Sequence, residues 1–199
     1  MSRTIVLATR NAGKVREIRE ALAGLPVELV VRDDLPELPE LGASFLENAR
    51  GKARAAARFT GEWALADDSG LEVDALGGAP GLRSARWSGG GAEENNERLL
   101  RELRGVAALE ERTARFRAAV AVASPDGAIV AEAEGTCEGL IGFERRGTGG
   151  FGYDPLFIIP SLGRTMAELE PGEKNALSHR GRALRALREI LTRTRPGII

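Results

Sequence analysis

The stretch that most constrains the fold is Ala64–Trp87, A-L-A-D-D-S-G-L-E-V-D-A-L-G-G-A-P-G-L-R-S-A-R-W. Trp63 to Ala66 read as a buried strand that delivers two carboxylates, Asp67 and Asp68, side by side. Ser69-Gly70 is expected to turn the chain, and Leu71-Glu72-Val73 alternates like a second strand. Successive strand side chains point to opposite faces, so Asp67 and Asp68 cannot share one cavity if the strand stays regular. One is free to hold a metal or act as a base while the other bonds to backbone. Two acids at such a junction suit a hard cation such as Mg²⁺, which takes one or two carboxylates and leaves its other positions to water and substrate phosphates. An ordinary acidic turn would use the same residues, because Asp and Ser are common turn formers. The Gly77-Gly78-Ala79-Pro80-Gly81 run that follows weighs against it. A plain turn does not need that much backbone freedom, whereas a loop lying close to a ligand does.

Upstream, Thr4–Thr9 is a short apolar run read as a strand. Arg10-Asn11-Ala12-Gly13 then leads into a helix whose Val15, Ile18, Leu22 and Leu25 share one face, with Gly24 and Pro26 marking its end. Thr9–Lys14 is therefore a strand–loop–helix junction. A helix N-terminus there offers unpaired N–H groups and a positive dipole end to an anion. The Walker A spacing is absent, and an unremarkable βα turn is the simpler reading of this segment alone.

Val27–Val31 reads as a strand and Arg32–Gly42 as an acidic loop with Asp33, Asp34, Glu37 and Glu40. Ser44-Phe45-Leu46-Glu47 is a capping box that opens a helix reaching about Thr60, with Lys52 in its interior. Arg83–Gly91 is loop-like and Ala92–Leu103 helical. Arg115–Ala123 and Ala128–Ile141 form an antiparallel hairpin around Ser124–Gly127, so the sheet is mixed. Arg146–Pro155 is a second glycine-rich stretch. Phe151 and Tyr153 stand at strand spacing within it, able to face one way and to stack on a planar base. Thr165–Glu168 is another capping box, Pro171-Gly172 interrupts, and Ser178 caps a last helix with Leu184, Leu187, Ile190 and Leu191 on its apolar face. His179 and Arg180 fall in that helix's first turn, where cations oppose the macrodipole. An anionic or hydrogen-bonding ligand would resolve the mismatch.

A length of 199 residues suits one domain or two closely packed lobes. The net charge of −1 argues against a general nucleic-acid or membrane-surface binder. Cys137 is the only cysteine, which excludes an intramolecular disulfide and a cysteine metal cluster. No apolar run approaches a membrane span, and the N-terminal run is too short for a signal-peptide core, so a cytoplasmic protein is expected. Of 28 basic residues, 25 are Arg and only Lys14, Lys52 and Lys174 are Lys. Lys supplies a compact charge on a flexible stem where Arg supplies a planar fork. A surface wanting only positive charge would, in this chain, have used Arg.

Five segments in order, T-R-N-A-G-K, F-L-E-N-A-x-x-K-A, A-D-D-S-G-L-x-V-D-A-L-G-G-A-P-G, F-G-Y-D-P and E-K-N-A-L-S-H-R-G, span Thr9 to Gly181. Together they resemble the inosine/xanthosine triphosphate pyrophosphatase family. The resemblance implies Mg²⁺-dependent hydrolysis of noncanonical purine nucleoside triphosphates (ITP, dITP, XTP) to the monophosphate and pyrophosphate. It also implies a homodimer, and a mixed α/β fold over residues 1–199 with two lobes around a long curved sheet and the active site in the cleft.

Carried over by residue, Thr9, Arg10, Asn11, Ala12, Gly13 and Lys14 resemble the triphosphate cradle, and Lys52 a phosphate contact. Asp68 resembles the catalytic base and metal ligand, Glu40 a second acid near the metal, and Ser69 a substrate contact. Phe151, Gly152, Tyr153 and Asp154 resemble the base-binding segment, Lys174 a further contact, and His179-Arg180 the pair that reads the purine. Arg10 stands where many relatives have a small or amide residue, and Tyr153 where some have Trp. A triphosphate brings about four negative charges, which Mg²⁺ would bridge. Asp68 would orient or deprotonate water for attack at the α-phosphorus, with Lys14 and Lys52 stabilising the leaving pyrophosphate. Two alternatives are a pyrophosphatase of modified pyrimidine triphosphates and a non-catalytic nucleotide sensor.

Overall fold

The computed structural model describes residues 3–38 and 40–193. In chain order its elements are β1 (Arg3–Leu7), α1 (Ala12–Ala21), β2 (Val27–Val31), α2 (Phe45–Thr60), β3 (Trp63–Val73), α3 (Ala92–Glu102), β4 (Thr113–Ala123), β5 (Ile129–Ile141), β6 (Phe157–Ile159), β7 (Arg164–Thr165), α4 (Pro171–Leu177) and α5 (His179–Arg193). The strands order as β2-β1-β3-β4-β5-β6-β7. β1 is parallel to β2 and β3, while β6 is antiparallel to β5 and β7. This is the mixed α/β class expected. No helix among the described residues is long and apolar enough to cross a membrane.

The chain divides into two compact units: Met1–Asp68, Ala118–Gly135 and His179–Ile199 form one, and Ser69–Arg117 with Thr136–Ser178 the other. Each has its own core. In the first unit, Ile5 and Leu7 of β1, Ile18 and Leu22 of α1, Leu65 of β3 and Leu184, Leu187 and Leu191 of α5 are buried together. The α1 and α5 stripes read from the sequence are the faces that meet here, and each fully buried Leu or Ile contributes about 1.5–3 kcal/mol. In the second unit the core joins Leu71, Val73, Trp87, Leu99, Phe116, Tyr153, Phe157 and Met166.

Three local expectations are corrected. Ser69-Gly70 is no turn: β3 runs unbroken from Trp63 to Val73. Pairing along the strand overrides the turn preference of Ser and Gly, which is a weak local term. Pro171-Gly172 does not interrupt a helix but starts α4, with Pro171 in its first turn and the Glu170 N–H donating to Glu173 Oε2 at 3.1 Å. Proline is well suited to that position because its missing N–H would be unpaired anyway. Arg83–Gly91 is not all loop, since Gly81–Arg86 forms a 3₁₀ helix. The glycines of the Gly77–Gly81 run have φ of 62°, 88° and 56° at Gly77, Gly78 and Gly81, and a Cβ there would meet nothing within 4 Å. Left-handed backbone, and not close approach of other protein atoms, is what calls for glycine here.

Candidate active site

Within the first unit, the two central carboxylates go to different partners. β3 is regular, so Asp67 and Asp68 point to opposite faces. Asp67 accepts from Arg180 Nε at 3.0 Å and Nη2 at 3.4 Å, and also pairs with Lys14 Nζ. Arg180 Nη1 reaches Glu17 Oε2 at 2.6 Å. Asp67 is 1% exposed and Arg180 2%. Burial alone would raise the Asp67 pKa, but Arg180 and then Lys14 outweigh it and hold the carboxyl far below the usual carboxylate range. Burial pushes the Lys14 ammonium down, with Asp67 opposing and Arg180 and Lys52 adding to the depression. Asp67 is thus held by cationic side chains.

Asp68 accepts from Lys52 Nζ at 2.7 Å on Oδ1 and from Asn48 Nδ2 at 3.0 Å on Oδ2. Lys52 Nζ also donates to Glu40 Oε1 at 3.0 Å. One ammonium thus joins the two acids expected at a metal. Burial raises the Asp68 pKa and Glu40 adds to this, while Lys52 and Asn48 pull the other way; the carboxyl ends above its ordinary value. Lys52 is raised: burial lowers it, but Asp68 and Glu40 outweigh that.

The local sequence explains why these groups converge. Ser44 caps α2 by accepting from the Glu47 N–H at 3.1 Å. The reciprocal bond of a capping box goes one residue further, from the Ala43 N–H to Glu47 Oε2 at 2.7 Å. Asn48 then accepts from the Gly42 N–H at 2.7 Å, fastening the loop that carries Glu40 while its Nδ2 holds Asp68. Lys52 lies one turn further along α2. Asn48 and Glu17 had no role assigned from sequence. Asn48 was legible as the Asn of F-L-E-N-A, whereas Glu17, an acid beside the Ile18 stripe, carried no signal.

The junction after β1 has the expected form. Asn11 is the N-cap of α1 and accepts from the Lys14 N–H at 3.1 Å, and Thr9 Oγ1 accepts from the Asn11 N–H at 3.2 Å. Ala12 and Gly13 make the first turn. Arg10 sends its guanidinium away, to the carbonyls of Leu35 and, at 3.4 Å, Asp33. His179, buried at the start of α5, lies against β5: a Cβ at Gly135 would collide with its carbonyl. The macrodipole mismatch predicted for Arg180 is resolved by the protein itself, through Asp67 and Glu17, so it gives no evidence of an external anion.

The second unit holds the remaining candidates. Gly150 and Gly152 have φ of 71° and 62°, so Phe151–Asp154 is a turn and not the strand whose spacing was assumed. Its two aromatics consequently separate. Tyr153 is buried in the core, its hydroxyl donating to the Ser84 carbonyl at 2.9 Å. Phe151 is half-buried, with Lys174 Nζ 4.5 Å from its ring centroid. Asp154 Oδ2 accepts from Lys174 Nζ at 2.7 Å and from the Phe151 N–H at 2.8 Å, and a Cβ at Gly150 would collide with that oxygen. Asn96 of α3 donates to the Gly152 carbonyl at 2.8 Å and braces the turn. Ser69 is half-buried on β3.

Within the first unit, α1, the loop carrying Glu40, α2, β3 and α5 therefore gather acids and ammonium or guanidinium groups, the chemistry of a polyanion and metal site. The sequence profile of the Ham1 family matches residues 5–190, and the chain belongs to that family. A dITP/XTP pyrophosphatase of Desulforamulus reducens is 53% identical over 194 residues, covering 95% of this chain and 96% of that protein. One from Thioalkalivibrio sulfidiphilus is 54% identical over 192 residues, covering 94% and 97%. Among solved structures, a HAM1 protein from Coxiella burnetii superposes with a TM-score of 0.86 at 42% identity, covering 96% of this chain and 98% of that one.

Proposed function

We propose that this chain is a nucleoside triphosphate pyrophosphatase that hydrolyses dITP, ITP and XTP to the monophosphate and pyrophosphate. The observation that carries the reading is Glu40 and Asp68 converging on one ammonium beside the Thr9–Lys14 helix start. Near-full-length relatives bearing that activity in their names support it.

The residues present suit Mg²⁺. No group of three or more His, Cys, Asp or Glu side chains able to hold a metal occurs among the described residues. Two hard oxygen donors that already gather around one cation match an ion that keeps several waters and binds through one or two carboxylates plus phosphates. Asp68 and Glu40 would hold it. When bound, the ion would neutralise charge on the phosphates and lower the pKa of coordinated water. Asp68, whose pKa burial raises, would orient the attacking water and accept its proton. Lys14 and the N–H groups opening α1 would bind the phosphates and stabilise charge on the leaving pyrophosphate. Phe151, whose ring already meets the Lys174 ammonium, would stack on the base. A homodimer is proposed on resemblance alone; sedimentation at micromolar concentration tests it, and a clean monomer would refute it.

An initial-rate panel of ITP, XTP, dITP, GTP, ATP and UTP with Mg²⁺ tests the function. Fast pyrophosphate release from the first three is expected. Preference for UTP would point to a pyrimidine enzyme, and binding without turnover to a sensor.

A further inference from the structure

Asp67 and Asp68 differ in what happens when their lysine leaves. Asp67 pairs with both Lys14 and Arg180, so Lys14 can swing to a phosphate while Arg180 still covers the carboxylate. Asp68 has Lys52 as its only cationic partner among the described residues, its second oxygen being held by the neutral Asn48 amide. Asp68 is 5% exposed, and a buried carboxylate stripped of its cation is strongly disfavoured. With Asp68 ionised, Lys52 can therefore leave it only if another cation arrives.

We infer that the Lys52 ammonium occupies the cation position between Glu40 and Asp68, and that metal entry there expels Lys52 and releases it to the triphosphate. The inference rests on the metal-dependent reading above. Mg²⁺ bonds oxygen at about 2.0–2.1 Å, so an ion shared by these two carboxylates would crowd the ammonium, which lies 2.7 and 3.0 Å from the same oxygens. Asn48 keeps the Asp68 plane fixed through the exchange. Lysine is the residue such an exchange needs. An Arg fork would bind the carboxylates in a fixed bidentate pair, whereas an ammonium on a four-carbon stem turns away readily. This accounts for a Lys at position 52 in a chain whose other basic residues are, apart from Lys14 and Lys174, all Arg.

The three lysines make a direct test practicable. In nucleotide-free protein labelled with ¹³C at lysine Cε, the side chains give three signals, assigned by the loss of one in Lys14→Arg and another in Lys174→Arg. Titration with Mg²⁺ should move the Lys52 signal to saturation and leave Lys174 in place. In calorimetry, Lys52→Met should bind Mn²⁺ about tenfold more tightly than wild type, because the competing charge is gone. Lys14→Met should change it by less than about threefold. A Lys52 signal that stays still while metal binds overturns the inference. So does equal tightening in both variants, which would reflect general electrostatics, or no metal binding by wild type and Lys52→Met alike. No nucleotide is present, so a wrong substrate assignment would leave this outcome untouched.

Discussion

Asp67 and Asp68 are consecutive residues of one strand, yet Asp67 is tied to Arg180 and Lys14 while Asp68 is tied to Lys52 and Asn48. A two-residue period along β3 is enough to send the two acids of one dipeptide to different partners. The cations hold the Asp67 carboxyl far below the usual range, whereas burial leaves Asp68 above its ordinary value.

The two carboxamide variants should separate these roles. Asp68→Asn is expected to lower kcat for ITP by about 10²–10⁴, as for loss of a positioned acid–base group, with the fold retained. Asp67→Asn removes the carboxylate that Arg180 and Lys14 share in a buried setting, and should cost about 3–5 kcal/mol in urea denaturation. Near wild-type turnover in Asp68→Asn would remove it from the mechanism.

The same asymmetry gives a pH signature. The Asp67 pKa is depressed in the folded state, so the unfolded chain binds its proton more tightly. Its stabilising contribution is complete above the unfolded value of about 3.9 and is lost as pH falls below it. The stability gap between wild type and Asp67→Asn should therefore be full at pH 6 and shrink steadily from about pH 4 downward. A gap independent of pH over that range would mean that Asp67 is not the titrating partner.

Much of this was legible in the sequence because the signals were local. The α1 and α5 stripes, the Ser44 cap and the β4–β5 hairpin each follow from periodicity or turn chemistry within a few residues. What escaped was long-range. Ser69-Gly70 looked like a turn because nothing local reveals that β3 continues through it. Phe151 and Tyr153 looked like a stacking pair because strand spacing was assumed where left-handed glycines make a turn. Glu17 and Arg180 meet across 163 positions, and no local pattern announces such a pair.

The lysines should differ in which kinetic constant they move. Lys14→Met removes a group proposed to act on the leaving pyrophosphate and should lower kcat. Lys174→Met removes the ammonium from the Phe151 ring and from Asp154, and should raise KM by about tenfold, equivalent to roughly 1.4 kcal/mol. Arg193→Ala is the control, since Arg193 lies at the end of α5 with an exposed side chain paired to the exposed Glu189. An equal loss from that variant would show that only general electrostatics had been measured.

Arg180 carries the sharpest test. If its guanidinium read the purine, it would donate to the 6-keto oxygen of hypoxanthine and xanthine and face the amino group of adenine donor to donor. Removing it would then collapse the ITP/ATP ratio, because sites that leave buried polar groups unpaired can discriminate by about 10⁴–10⁵. The geometry gives its Nε, Nη1 and Nη2 to Asp67 and Glu17 inside the first unit. Arg180→Ala should therefore act mainly on stability, costing about 3–5 kcal/mol as two buried carboxylates lose their partner. Arg180→Lys keeps the charge, loses the fork, and is the variant more apt to stay folded. It should lower kcat for every nucleotide by a similar factor, since Asp67 then leans more on Lys14 and yields it less readily to the phosphates, and leave the ITP/ATP ratio within about threefold of wild type, a difference under roughly 0.7 kcal/mol. Base selection would then rest on Phe151–Asp154 and its Asn96 brace. A ratio that collapses in folded Arg180→Lys would put the guanidinium back at the base, and would mean that substrate draws it away from Glu17.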